Sequence, residues 1–96
     1  MIQSFRDEAS ADLFRERDTR AARRIPRPLW RVAQRKMKAL DAAARLDDLR
    51  VPAGNRLELL KGVYAGHYSI RVNDRYRMTF LWKDGHAHEV CIEDYH

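Results

Sequence analysis

Cys91 is the one cysteine among 96 residues, which excludes an internal disulfide and agrees with a reducing compartment. No stretch approaches the ~20 apolar residues of a membrane span. Residues 1–14 also lack the basic-then-apolar order of a secretory signal. A cytoplasmic location and no membrane partner are therefore expected. None of the four glycines belongs to a GxxxxGK[ST] loop, which argues against nucleotide hydrolysis. No Ser or Cys stands in a recognisable nucleophile context. His86 and His88 share one strand face near Cys91, but four-ligand zinc spacing is missing, so they read most simply as surface hairpin residues and no metal or cofactor is expected. Repeats, low-complexity tracts and interdomain linkers are absent too, leaving one domain with one core.

What is abundant is positive charge, and it is uneven. The net charge is +5 with a sequence pI near 9.8. Residues 1–50 hold thirteen Lys/Arg against eight Asp/Glu, whereas residues 51–96 hold six of each. Eight basic residues and no acid fall within residues 20–38. Such a field suits a polyanion or an acidic protein partner; a plain solubilising surface is the alternative.

Residues 2–5 alternate in polarity as a brief strand, after which Asp7 is placed to cap a helix running to about Arg17, with Ala9, Leu13 and Phe14 on one side. Residues 18–27 carry no hydrophobic period, and Pro26 and Pro28 mark the start of the next helix. That helix is expected over residues 28–45, with Leu29, Ala33, Met37, Leu40 and Ala44 forming its buried stripe. Trp30 and Met37 read as packing residues. A turn-rich passage anchored by Leu49 then leads to the sheet.

Residues 55–82 are the centre of the chain. Strand signals cover residues 57–61, 67–72, 75–82 and 86–93. A one-residue slip would exchange the faces of a strand, so polarity tests the turns. A three-residue loop, Asn73-Asp74-Arg75, pairs Ile70 with Met78 and Tyr68 with Phe80. Reading Lys83-Asp84-Gly85 as a second such loop, with Gly85 left-handed, sets Tyr76 opposite Ile92 and Met78 opposite Val90. Ser69, Arg71, Arg77, Thr79, Cys91, Glu93 and, by continued alternation, Tyr95 then share the other face.

On that face Arg71 and Arg77 oppose each other. Like charges so placed destabilise a sheet, unless Glu89 or Glu93 neutralises them or an anion bridges them. Guanidinium groups suit bidentate contact with phosphate. Arg56 and Lys61 flank the first strand, and residues 62–66 form a loop able to approach a ligand, with His67 at a strand edge or in the site. Tyr95 and His96 add a phenol and an imidazole. Together these groups could activate a ribose 2′-hydroxyl, stabilise the charged transition state and protonate the leaving oxygen, on RNA and without a metal.

The succession Ala53-Gly54-Asn55-Arg56-Leu57-Glu58, Leu60-Lys61-Gly62, Gly66-His67-Tyr68-Ser69-Ile70-Arg71-Val72-Asn73-Asp74, Tyr76-Arg77 and Glu93-Asp94-Tyr95-His96 resembles the HigB-type toxins of the RelE/ParE superfamily of bacterial type II toxin–antitoxin systems. The likeness covers nearly the whole chain and is densest in the second half. It implies an α+β fold, two N-terminal helices packed on a small, mainly antiparallel twisted sheet, as in microbial ribonucleases. It also implies cleavage of messenger RNA on the translating ribosome and neutralisation by a HigA-type helix-turn-helix antitoxin, with operator DNA reached only through that antitoxin. By position, Arg56, Lys61, Arg71 and Arg77 match residues that hold RNA, and Asp94, Tyr95 and His96 match the catalytic segment. His67 stands where such toxins often carry Gln. As the last residue, His96 has the α-carboxylate beside its imidazole, which favours the protonated ring and a general-acid role. Tyr95 and His96 serve one site only if they leave the regular strand. A non-enzymatic module of the same fold, such as a ParE-like gyrase inhibitor or a basic protein- or nucleic-acid-binding regulator, is the alternative. The terminal Tyr95-His96 pair favours the enzyme.

Overall fold

The computed structural model describes residues 1–94. Its elements are α1 (Glu8–Phe14), α2 (Trp30–Ala42), β1 (Glu58–Leu59), β2 (His67–Arg71), β3 (Tyr76–Lys83) and β4 (His86–Asp94), joined by short 3₁₀ turns. The strands form one antiparallel sheet in the order β1-β2-β3-β4. This is the expected α+β arrangement. Among the described residues, no helix is long and apolar enough to cross a membrane.

Residues 2–5 lie along the outer edge of β4 as a parallel segment. Gln3 N–H donates to the Ala87 carbonyl at 2.8 Å, Arg6 N–H to Val90 at 3.0 Å, and Val90 N–H to Ser4 at 3.1 Å. An edge that would otherwise expose unpaired backbone is thereby covered. Asp7 caps α1 as expected, accepting from Ser10 N–H at 2.9 Å. The helix ends at Phe14, earlier than its polarity suggests, and Glu16 takes a left-handed φ of 57°. From α1, the fully buried Ser10 hydroxyl accepts the Ile92 N–H at 2.9 Å, pinning the helix to β4.

Pro26 precedes a 3₁₀ turn, Arg27–Leu29, that opens directly into α2. Trp30 is half-buried; its Nε1–H donates to the Ile25 carbonyl at 2.8 Å, and the Arg27 guanidinium lies 4.5 Å from its ring. Ala33, Met37 and Leu40 have no exposed surface. Burying Met37 and Leu40 contributes about 1.5–3 kcal/mol each. The fifth residue of the expected stripe is displaced: Ala43 is buried and Ala44 exposed, because α2 stops at Ala42 rather than Arg45. Ala43 turns extended, and the Asp48 carboxylate accepts the N–H groups of Ala44 and Arg45, at 3.1 and 3.0 Å. Leu49 anchors the following loop at 2% exposure.

The helices and this loop cover the apolar face of the sheet, where Ile70, Val72, Met78, Phe80, Val90 and Ile92 meet Ala9, Leu13, Met37 and Leu40 in one core. The first hairpin has the expected register, with Ile70 opposite Met78, Tyr68 opposite Phe80 and Arg71 opposite Arg77. The Asn73 side chain holds its loop by accepting from Arg75 N–H and Tyr76 N–H, at 2.9 and 2.7 Å.

The second hairpin differs from expectation. Lys83 pairs with His86, so the loop is the two residues Asp84 and Gly85, both left-handed at φ 52° and 79°. That is the geometry of a type I′ turn, and aspartate tolerates it beside glycine. Further along, Glu89 and Val90 together face Phe80, a bulge in which Glu89 takes φ 51°. The two changes shift the pairing by two residues. Met78 therefore faces Ile92 and Tyr76 faces Asp94, instead of Val90 and Ile92. Beyond the bulge this even shift leaves each side chain on its expected face; between turn and bulge the shift is a single residue, which puts Ala87 in the core.

Candidate active site

The polar face of the sheet is built by the alternate residues of all four strands. Glu58, Ser69, Arg77 or Thr79, and Cys91 or Glu93 line up across β1 to β4. Ser69 and Thr79 are fully buried, so this face is occupied by side-chain hydrogen bonds and is not simply wet.

Arg77 is held on three sides. Its Nε donates to Ser69 Oγ at 2.9 Å, Nη2 donates to the Arg56 carbonyl at 3.1 Å, and Nη2 lies 3.2 Å from the Glu58 carboxylate. The guanidinium side chain is only 15% exposed. Arg71, directly opposite, pairs with Asp74 at the hairpin turn. The carboxylates set against the arginine pair thus include Glu58 and Asp74, which the sequence reading did not single out. Glu89, one of the two acids it did, is in the bulge; its N–H donates to Ser4 Oγ at 2.9 Å. The other, Glu93, stands opposite Arg77 in the β3–β4 register and centres a second network.

In that network Tyr64 donates its phenolic hydrogen to Glu93 Oε1 at 2.8 Å, and Thr79 donates to Oε2 at 2.5 Å. Arg6 pairs with the same carboxylate and also donates to Thr79 Oγ1, at 3.0 Å. The Arg6 guanidinium lies 5.8 Å from the Tyr64 ring centre. Glu93's hydrogen bond and negative charge push the Tyr64 phenol above its ordinary pKa, keeping it a donor. The 3₁₀ turn Gly62–Tyr64 is thus tied to β4 across the polar face. His67 stands edge-on to Tyr64, ring centres 6.2 Å apart.

Arg71 and Arg77 are therefore brought together, and the Arg56 backbone is brought to Arg77. Arg56 itself is exposed and left-handed, at φ 47°. Lys61 is exposed at the start of the Gly62–Tyr64 turn, beyond β1 from Arg56. Asp94 pairs with Arg75 at 2.7 Å and faces Tyr76, on the other side of β4 from Glu93. Tyr95 and His96 lie outside the described residues. Cys91, buried beneath the face, contacts Asp7 Oδ2 at 3.5 Å, and burial first, then the Asp7 charge, pushes its thiol up to about 11.

Arg6 and Tyr64 were missed from sequence. Arg6 reaches Glu93 only because the chain start pairs with β4, a contact across 87 positions. Tyr64 did have a local signal, a lone phenol between Gly62 and Gly66.

Residues 3–96 match the HigB-like toxin family, described as RelE-like toxin of type II toxin-antitoxin system HigB. Toxin HigB-1 of Vibrio cholerae serotype O1 is 41% identical over 93 residues, covering 97% of this chain and 96% of that protein. Endoribonuclease HigB of Proteus vulgaris is 32% identical over 97 residues, covering all of both. A solved YoeB-YefM complex from Staphylococcus aureus superposes with a TM-score of 0.61 at 16% identity, covering 100% of this chain and 98% of that one, which is a likeness of fold. The chain belongs to the HigB-like family of RelE-like type II toxins.

Proposed function

We infer that this toxin is an endoribonuclease that cuts messenger RNA at the translating ribosome, through attack of a ribose 2′-hydroxyl on the adjacent phosphate. The observation that carries this reading is the opposition of Arg71 and Arg77 on the polar face. A relative matched over its whole length is an endoribonuclease by name. Both guanidinium groups can meet the non-bridging oxygens of one phosphate, where negative charge grows as the 2′-oxygen bonds to phosphorus. Arg56 and Lys61 hold the flanking phosphates, and His67 borders the same face. The 2′-hydroxyl loses its proton to solvent water as it attacks; as the phosphorus–5′-oxygen bond breaks, His96 gives its proton to the leaving oxygen and Tyr95 orients the scissile nucleotide. Asp94 fixes the base of that terminal segment through Arg75.

The toxin works in the cytoplasm and is silenced by a helix-turn-helix antitoxin of the HigA type. The family is defined by toxin–antitoxin systems, and the superposed YoeB was solved bound to an antitoxin. Primer extension on a defined message in a purified translation system, with and without ribosomes, tests the reading. Cleavage only with ribosomes, lost in His96→Ala, is expected. An intact message beside a protein still toxic in cells would defeat the nuclease reading and turn attention to gyrase supercoiling.

A further inference from the structure

A pocket of about 270 Å³ opens between α2 and the loop of residues 49–55, away from the polar face. Its walls are apolar: Ala39, Leu49, Val51 and Ile70. The floor residues Leu49 and Ile70 belong to the core, while Val51 at the mouth is 77% exposed. A drug-sized ligand commonly needs ~300–1,000 Å³, so this volume suits one large side chain.

Cations stand over the opening. Arg35 and Lys36 line it, and Lys36 Nζ donates to the neutral Asn55 Oδ1 at 2.8 Å. Burial, and then the positive charges of Arg35 and Arg71, lower the Lys36 pKa. An approaching carboxylate would offset both of these positive charges. Residues 19–40 contribute no acid of their own. An apolar well under uncompensated cations selects a ligand that is both greasy and acidic, and a nucleobase, with a polar edge to satisfy, fits such walls poorly.

We propose that this pocket receives one bulky aliphatic or aromatic side chain of the antitoxin, carried on an acidic segment whose carboxylates meet Arg35 and Lys36. The proposal rests on the antitoxin reading above. It places the contact on the helical side of a loop whose next residue, Arg56, has its carbonyl on Arg77.

The test is calorimetric titration of full-length toxin with its full-length cognate antitoxin, at low and high salt. Two variants outside the cleavage site probe the pocket: Ala39→Trp, at an exposed helix position whose new ring would fill it, and Arg35→Glu, which reverses an exposed charge. Each is expected to weaken binding at least tenfold with message cleavage unchanged, and Arg35→Glu also to flatten the salt dependence. Two variants that bind as tightly as the parent would overturn the pocket alone. A parent toxin that binds no antitoxin would overturn the antitoxin reading and the pocket with it. Normal antitoxin binding beside lost ribosome-dependent cleavage would assign the pocket to ribosomal RNA and overturn the proposal.

Discussion

Arg71 and Arg77 face each other directly across β2 and β3, and each is matched by a carboxylate, Asp74 for Arg71 and Glu58 for Arg77. Asp74 is 92% exposed and Glu58 53% exposed. These are wet, exchangeable partners whose pairs contribute about 0–1 kcal/mol. The resting protein thereby avoids like-charge repulsion, and a phosphate arriving at the proposed site would displace these partners at little cost.

Arg77→Ala should therefore lower message cleavage ~10²- to 10³-fold, as loss of one transition-state donor commonly does. Stability should fall by only about 1–2 kcal/mol, through the hydrogen bonds to Ser69 and the Arg56 carbonyl. Arg77→Lys should restore the charge but not the fork, and recover only part of the rate. Cleavage kinetics beside thermal melts separate the two effects.

Tyr64→Phe removes the hydroxyl that ties the Gly62–Tyr64 turn to Glu93 and keeps the ring beside His67. Roughly 0.5–1.5 kcal/mol of local stability should go. Amide hydrogen exchange in residues 62–66 should speed up by about three- to tenfold while α2 is unchanged. Equal acceleration in α2 would mean that the turn is not a separate opening unit.

Much of this organisation was legible from pattern. Alternation assigned the faces of β2, β3 and β4 beyond its bulge, because a polar side chain in the core is costly whichever loop is used. Loop length was less legible: Asp84 adopts a conformation usually read as glycine's, and Glu89 absorbs the difference in a bulge. The arginine pair could be read locally, since both residues flank one short hairpin. The Arg6, Thr79, Glu93 and Tyr64 network joins distant segments, and the chain start reaches β4 by backbone bonds that leave no composition signal.

The end of α2 offers a direct check on one such difference. Periodicity assigns Ala44 to the core, whereas the structure buries Ala43 and exposes Ala44. Ala43→Glu should cost about 2 kcal/mol or more, because a carboxylate would be forced among apolar neighbours. Ala44→Glu should stay within about 0.5 kcal/mol of the parent. Urea unfolding of the pair decides, and the reverse order would mean that α2 continues past Ala42.

Cys91 makes a pH-dependent prediction whose sign follows from burial. The fold raises its thiol from 9.0 to about 11, so the native state keeps a proton that the unfolded chain releases earlier. Below pH 9 both states are protonated and the contribution is constant. Between pH 9 and 11 the unfolded state gains by ionising, and stability should fall by roughly 2–3 kcal/mol. Other groups titrate in that window, so the readout is the difference between parent and Cys91→Ala across it: the variant should lose less stability on going from pH 8.5 to 11. In native protein at pH 8, only ~1 thiol in 1,000 should be thiolate, and alkylation by iodoacetamide should run far slower than in urea. Equal alkylation rates with and without urea would show the thiol to be accessible in the folded protein.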